Sequence, residues 1–306
     1  MRNQTTNGHI AALVTIFIWG ITFISTKVLL TGFTPTEILF FRFAIGFIML
    51  LIIFPARMKV ADRKHELLFI CAGLCGVTLY YLLENIALTM TMASNVGVIS
   101  GIVPFSTAVL TMLFLKDERL KGNFFVGFAM AMIGIFLISY NGKANFQLNP
   151  LGDMLAAVAT FAWAAYSVLT KKISSYGYHP IQTTKRVFFY GLLLMVPTLF
   201  FFDFKLELAR FANPIYLFNI LFLGIGASAV CFVTWNTAVN ILGAIKTSVY
   251  IYMVPVITVV VSMLVLHEQL TKLSALGILL TLAGLVVSEM KITIKKKRAL
   301  GSSAVK

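Results

Sequence analysis

The strongest constraint on this chain is a succession of apolar runs. Each is close to the roughly 20 residues that let an α-helix cross the hydrocarbon core of a bilayer. Runs of that length place spans at about 9–30, 36–54, 66–88, 93–115, 122–140, 152–171, 181–202, 214–238, 244–266 and 272–290. The connections are short and rich in turn formers, as in "TGFTPTE", "NGKANFQLNP" and "SSYGYHP". Only 12% of the residues are charged, against roughly a quarter in a soluble domain, so the chain cannot clothe a water-facing surface. In lipid the backbone must satisfy its own hydrogen bonds, and runs of this length do so as helices. The expected fold class is therefore an all-α integral membrane protein with ten transmembrane helices. The first run lacks a small-residue cleavage site and is read as a retained helix.

A net charge of +14 would suggest a nucleic-acid partner in a soluble protein. Here the bases cluster between apolar runs, and no nucleic acid is expected. With a cytoplasmic N-terminus, nineteen lysines and arginines fall on the cytoplasmic side and four (Lys143, Lys205, Arg210 and Lys272) on the other. The positive-inside rule then puts both termini in the cytoplasm of a multi-pass cell-membrane protein. The tail from Lys291, "KITIKKKR", reads as a solvated or headgroup-binding end.

The two halves repeat one another. "FIWGITFISTK" (17–27) and "FAWAAYSVLTK" (161–171) share Phe, Trp and Thr-Lys at a spacing of 144 residues, which also relates Arg42 to Arg186. Asn85, Ala87, Ala93 and Pro104 match Asn236, Ala238, Ala244 and Pro255 at 151, and Gly127 and Gly134 match Gly277 and Gly284 at 150. Five spans per half is an odd number, so the halves must lie in opposite senses across the membrane. Such an inverted repeat is a transporter architecture with its site near mid-membrane. The expected organisation is a five-helix repeat over 9–140, a second over 152–291, and a basic tail over 292–306.

At "WGITFISTK" (19–27), "TPTEILFFRF" (34–43), "ALTMTMASNVGVISGIVPF" (87–105) and "FLKDERL" (114–120), with weaker second copies, the sequence resembles the drug/metabolite transporter superfamily, in particular its EamA-type ten-helix permeases. The resemblance runs over about 9–290. It implies a secondary carrier, usually an exporter of amino acids, metabolites or drugs. The second copy departs at Ala164, which stands where the first has glycine, and at Gln269; neither touches the family resemblance.

Glu84, in "YYLLENIAL", is an acidic side chain within an apolar span. A carboxylate in low dielectric is driven toward its neutral form, so Glu84 can take up a proton, or it can hold a substrate amine; a tie to local polar groups is the structural alternative. Tyr80 lies one turn earlier and Asn85 follows. Trp19 and Trp163 are repeat-related and mid-span, and Trp235 aligns with Glu84 and adjoins Asn236. Stacking or cation–π contact with substrate competes with core packing for these rings. Tyr166 and Tyr250 supply further hydroxyls. Pro104 and Pro255 weaken their helices at matching places, either as static kinks or as hinges. Arg42 needs a partner, for which Glu37 or a helix C-terminal carbonyl is in reach, or it attracts an anionic group. Lys27 and Lys171 end their helices, where a lysine snorkels to headgroups. Asp153 opens the sixth span, and Glu118 and Glu268 are expected to cap or pair locally. Small-residue stripes at Gly127/Ala131/Gly134 and Gly277/Thr281/Gly284/Ser288 point to close helix contacts. A third, at Ser94/Gly97/Gly101/Ala108, either packs or leaves room for substrate.

Cys71, Cys75 and Cys231 fit neither a disulfide framework nor a zinc site. His9, His65, His179 and His267 all fall at span ends and form no cluster, and nucleophile or nucleotide-loop signatures are absent. The expected function is secondary active transport, exporting a small metabolite such as an amino acid by alternating access, with proton coupling through Glu84. A broad drug or cation efflux carrier is the alternative; a membrane enzyme or a passive channel is the contrasting class. No cofactor is expected. The partners are a small-molecule substrate and the lipid bilayer, in a monomer or homodimer.

Overall fold

The structure is a computed structural model that describes residues 2–56, 58–60, 62–91, 93–115, 122–140, 149–201, 204–266 and 271–289. Among these it is helical, with no strand. The helical runs are α1 (Arg2–Leu29), α2 (Pro35–Ile53), α3 (Arg63–Met90), α4 (Ala93–Phe114), α5 (Gly122–Tyr140), α6 (Pro150–Ser174), α7 (Pro180–Phe201), α8 (Pro214–Leu242), α9 (Ala244–Leu266) and α10 (Lys272–Glu289). Seven of them (α1–α4 and α6–α8) are long and apolar enough to cross a membrane, while α5, α9 and α10 supply shorter apolar stretches. Glu118, Glu268 and the basic tail lie outside the described residues.

The helix starts follow from local chemistry. Thr34 and Glu37 form a reciprocal capping box at α2, with Pro35 in the first turn. Asn149 and Asn213 cap α6 and α8 by accepting from the backbone of Gly152 and Ile215. Between α8 and α9 the chain turns at Gly243, whose φ of 95° lies in the region glycine alone enters freely.

Four runs are interrupted at corresponding places in the two halves. α3 carries a π-helical segment at Leu74–Leu79 and α8 one at Phe222–Val230. α4 breaks at Gly101–Ile102, so that Pro104 sits in the first turn of a new helix. α9 passes through a 3₁₀ turn at Val249–Tyr252 shortly before Pro255. Both prolines thus mark helix restarts rather than bends in one continuous helix.

Packing exchanges elements between the halves. α8 packs against α1 and α2, and α3 packs against α6 and α7. Glycines allow the close crossings. A Cβ on Gly46 would meet Gly224 O at 2.9 Å, and one on Gly73 would meet Gly191 N at 2.7 Å. An ion pair braces each group. Arg210 grips the buried Glu37 with two N–H groups, at 2.8 and 3.0 Å, which ties the α7–α8 connection to α2. Arg186 holds Glu66 at 2.6 Å, which ties α7 to α3. Glu37 is thereby committed to Arg210. Arg42 instead donates from Nε to Ser228 Oγ at 2.8 Å and lies 4.1 Å from the centre of the Tyr81 ring.

α5 and α10 meet each other along their small-residue stripes. Cβ atoms on Gly277 and Gly284 would come within 2.6 and 2.5 Å of Gly134 O and Ala131 N, so the two backbones touch as the spacing predicts. The third stripe divides: Gly101 packs on Met132 and Ile135 of α5, whereas nothing lies within 4 Å of a Cβ on Gly97.

A leucine at Gly284 should therefore force α5 and α10 apart, costing about 1–3 kcal/mol by overpacking. Gly97→Ala should leave stability unchanged or slightly raised. Thermal unfolding in detergent, followed by size-exclusion chromatography, separates the two outcomes.

Candidate functional site

A cleft opens where the two groups of helices face each other. α1 contributes Trp19, Thr22 and Phe23, and α3 contributes Tyr80, Tyr81 and Glu84. α4 adds Ser100 and Val103, α6 adds Trp163, and α9 adds Ile251 and Val254. Ser100 closes the first segment of α4 and Val103 opens the second, so the helix break borders the site. The cavity is only about 40 Å³, room for a few waters and far below the roughly 300–1,000 Å³ of small-molecule sites. An amino-acid-sized guest requires it to widen.

Glu84 is 8% exposed, and its carboxylate accepts a hydrogen bond from Tyr80 Oη at 2.9 Å. Tyr80 packs against Trp163, with ring centres 4.9 Å apart. Trp163 meets Trp19 edge to face at 5.0 Å, so the repeat-related tryptophans contact one another. Tyr81 and Phe232, related by the 151-residue offset, also meet, at 6.2 Å. Trp19 is anchored from behind: its Nε1 donates to Ala227 O at 3.0 Å. Ala227 lies within the π-helical segment of α8, where the ordinary ladder is loosened. The buried indole N–H groups of Trp163 and Trp235 have no acceptor among the described residues.

The other sequence-derived candidates stand around this cleft. Trp235 is fully buried 5.1 Å from Trp19 and 5.8 Å from Trp163, behind them. Tyr166 Oη donates to Asn236 Oδ1 at 2.9 Å, and Asn236 Nδ2 donates to Thr184 Oγ1 at 3.0 Å. Asn85 Nδ2 donates to Pro35 O at 3.1 Å, tying α3 to the start of α2. Tyr250 Oη lies 2.5 Å from His9 Nδ1, near the N-terminal end of α1. None of these five lines the cleft. Tyr81, which does, is a residue the sequence reading passed over although it adjoins Tyr80 in "YYLLENIAL". Thr22, Phe23, Ser100, Val103, Ile251 and Val254 give no sequence signal of their own, because only the packing of three helices, α1, α4 and α9, brings them together.

The repeated lysines also find places. Lys27 Nζ donates to Leu88 O at 3.0 Å, and Lys171 Nζ donates to Asn240 O at 3.1 Å. Each ammonium caps the C-terminal end of the third helix of its own half, where the helix dipole favours a cation. Thr91 Oγ1 donates to Asp153 at 2.8 Å. No group of three or more His, Cys, Asp or Glu residues able to hold a metal ion occurs among the described residues. Chemically, the cleft offers one carboxylate set among aromatic faces. That arrangement can take up a proton or hold a cation.

Comparison with known proteins agrees with this architecture. The model of the EamA-like transporter family matches residues 6–140 and again 150–290. An uncharacterized transporter of Archaeoglobus fulgidus is 28% identical over 92% of this chain and 97% of its own length. A probable amino-acid metabolite efflux pump of Escherichia coli is 27% identical over 96% of this chain and 98% of its own. A solved crystal structure superposes with a TM-score of 0.77 over 93% of this chain and 96% of that one; its 19% identity speaks to the fold alone. These family and relative names are those of transporters rather than enzymes. With two matches that together run nearly end to end, this multi-pass membrane protein belongs to the EamA-like transporter family.

Proposed function

We propose that the chain is a secondary active exporter of a small metabolite such as an amino acid, working by alternating access and coupled to protons through Glu84. The observation that carries this reading is the cleft itself. A carboxylate and two repeat-related tryptophans face one another between helix groups drawn from both halves. The relative named as an amino-acid metabolite efflux pump supports the substrate class. The aromatic walls also favour a second reading, a broad carrier of organic cations; competition by chemically unlike cations in one transport assay distinguishes it.

In this reading ten spans form two inverted repeats, with α5, α9 and α10 crossing as well. The moving bodies are the exchanged groups, α1/α2/α8 and α3/α6/α7. The ion pairs Glu37–Arg210 and Glu66–Arg186 lie inside these groups and hold each one rigid. Trp19, Trp163, Tyr80 and Glu84 contact substrate, with Trp235, Asn85, Tyr166, Asn236 and Tyr250 as the supporting shell. The restarts before Pro104 and Pro255 serve as hinges. The lysine contacts cross between the groups: Lys27 of α1 reaches α3, and Lys171 of α6 reaches α8. With both termini cytoplasmic, Lys27 latches the outer face and Lys171 the inner. Opening either face breaks one latch and leaves the other intact. The chain acts in the lipid bilayer as a monomer or homodimer and needs no nucleic acid or cofactor.

Reporter fusions should place both termini in the cytoplasm; termini on opposite faces would remove the inverted repeat. Counterflow in proteoliposomes with an amino-acid and metabolite panel should show saturable exchange. Acidification should weaken substrate binding, because a protonated Glu84 cannot hold a cation. Glu84→Gln should abolish accumulation driven by a pH gradient, and unchanged gradient-driven transport in that variant would take Glu84 out of the mechanism. Lys27→Met should raise the labelling of a cleft cysteine from outside, and Lys171→Met from inside, by a fewfold each, as expected from losing a hydrogen bond of about 1 kcal/mol. Identical labelling patterns in the two variants would leave the lysines as plain helix caps.

A further inference from the structure

We infer that the cleft recognises its substrate through an organic ammonium group, which sits against Glu84 and the ring faces of Trp19, Trp163 and Tyr80. The inference rests on the transport reading and deepens it, by naming the chemical group the site is built around. Among the described residues that line the cleft there is an acid and no base. Arg42 is not among the lining residues; its Nε donates to Ser228 and its guanidinium lies over the Tyr81 ring. Tyr81 lines the cleft where Arg42 does not, so the wall presents an aromatic ring where an anion site would present a cation.

The remaining geometry fits an ammonium. Tyr80 donates to one oxygen of Glu84, which leaves acceptor capacity on the carboxylate for N–H donors. Tryptophan and tyrosine faces attract a cation more strongly once water is excluded, and these rings form a contiguous set. A second observation points to a polar guest. The indole N–H of Trp163, 2% exposed, has no acceptor among the described residues. A buried donor left so is costly, and an oxygen on the guest would satisfy it. Opposite, Phe23, Ile251 and Val254 offer an apolar bed for the rest of the molecule.

Three probes that share a phenyl group test this on the full-length protein: phenethylamine carries an ammonium alone, phenylalanine an ammonium and a carboxylate, and 3-phenylpropionate a carboxylate alone. Quenching of tryptophan fluorescence reads binding in detergent, independently of transport. The two ammonium-bearing probes should bind at least about tenfold more tightly than the acid, as expected when a charge-assisted contact is lost. Glu84→Gln should weaken phenethylamine by about tenfold while leaving 3-phenylpropionate no weaker. Equal binding of the acid, or binding by none of the three, would overturn the inference without recourse to a variant. Flux of 3-phenylpropionate with no flux of the amines would likewise overturn it and leave the transport reading standing. Tight amine binding with no flux of any solute would overturn transport instead.

Discussion

Hydrocarbon neither donates nor accepts hydrogen bonds, so every polar group carried into the bilayer must be met from within the protein. That requirement explains features that would be incidental in water. Glu37, 1% exposed, is met by a two-pronged arginine and by its own capping box. Arg42 finds a hydroxyl for its Nε and an aromatic face for its guanidinium, while its Nη2 has no acceptor among the described residues. Each repeated lysine settles on carbonyl oxygen at a helix end. Where a helix loosens its own ladder, as α8 does near Ala227, a tryptophan supplies a donor from the neighbouring helix. Among the described residues the indoles of Trp163 and Trp235 keep unmet donors, and of the two only Trp163 lines the acidic cleft.

The second theme is exchange. If each half folded around its own third helix, the molecule would be two bundles in series with a seam between them. Here the third helix of each half belongs by packing to the first two helices of the other. The cleft is therefore lined by both halves and closed by neither alone. Its central contacts are made by equivalent residues, Trp19 with Trp163 and Tyr81 with Phe232. A site built this way presents similar chemistry from each half.

Much of this was open to a reader of the sequence, for identifiable reasons. Span length and charge set the helices. The shared Phe-Trp and Thr-Lys spacing of 17–27 and 161–171 exposed the repeat, and Trp19, Trp163, Tyr80 and Glu84 were singled out, whereas Tyr81, Thr22, Phe23 and Ser100 of the cleft's polar and aromatic walls were not. The seams at Gly127/Gly134 and Gly277/Gly284 followed from spacing alone. What escaped was non-local or conformational. Hydropathy has no register, so it cannot see a π-helical segment at Leu74–Leu79 or a restart after Ile102. Arg42 was sought a partner on its own helix, whereas Ser228 lies 186 positions away. Lys27 and Lys171 looked like headgroup anchors because nothing in the linear order brings Leu88 or Asn240 to them.

The contact of α5 with α10 has a further consequence. Two helices that meet this closely leave chiefly small side chains, Thr281 and Ser288, between main-chain atoms, and little that could absorb a change. A bulkier residue at Gly134 cannot be offset by trimming Thr281 opposite, since what it would strike there includes the main-chain atoms Gly277 O and Thr281 N. Duplicated halves are otherwise free to drift, each fitting its own surroundings. Along this line they are not, and the two copies remain bound to a common vocabulary of small residues however far the rest diverges.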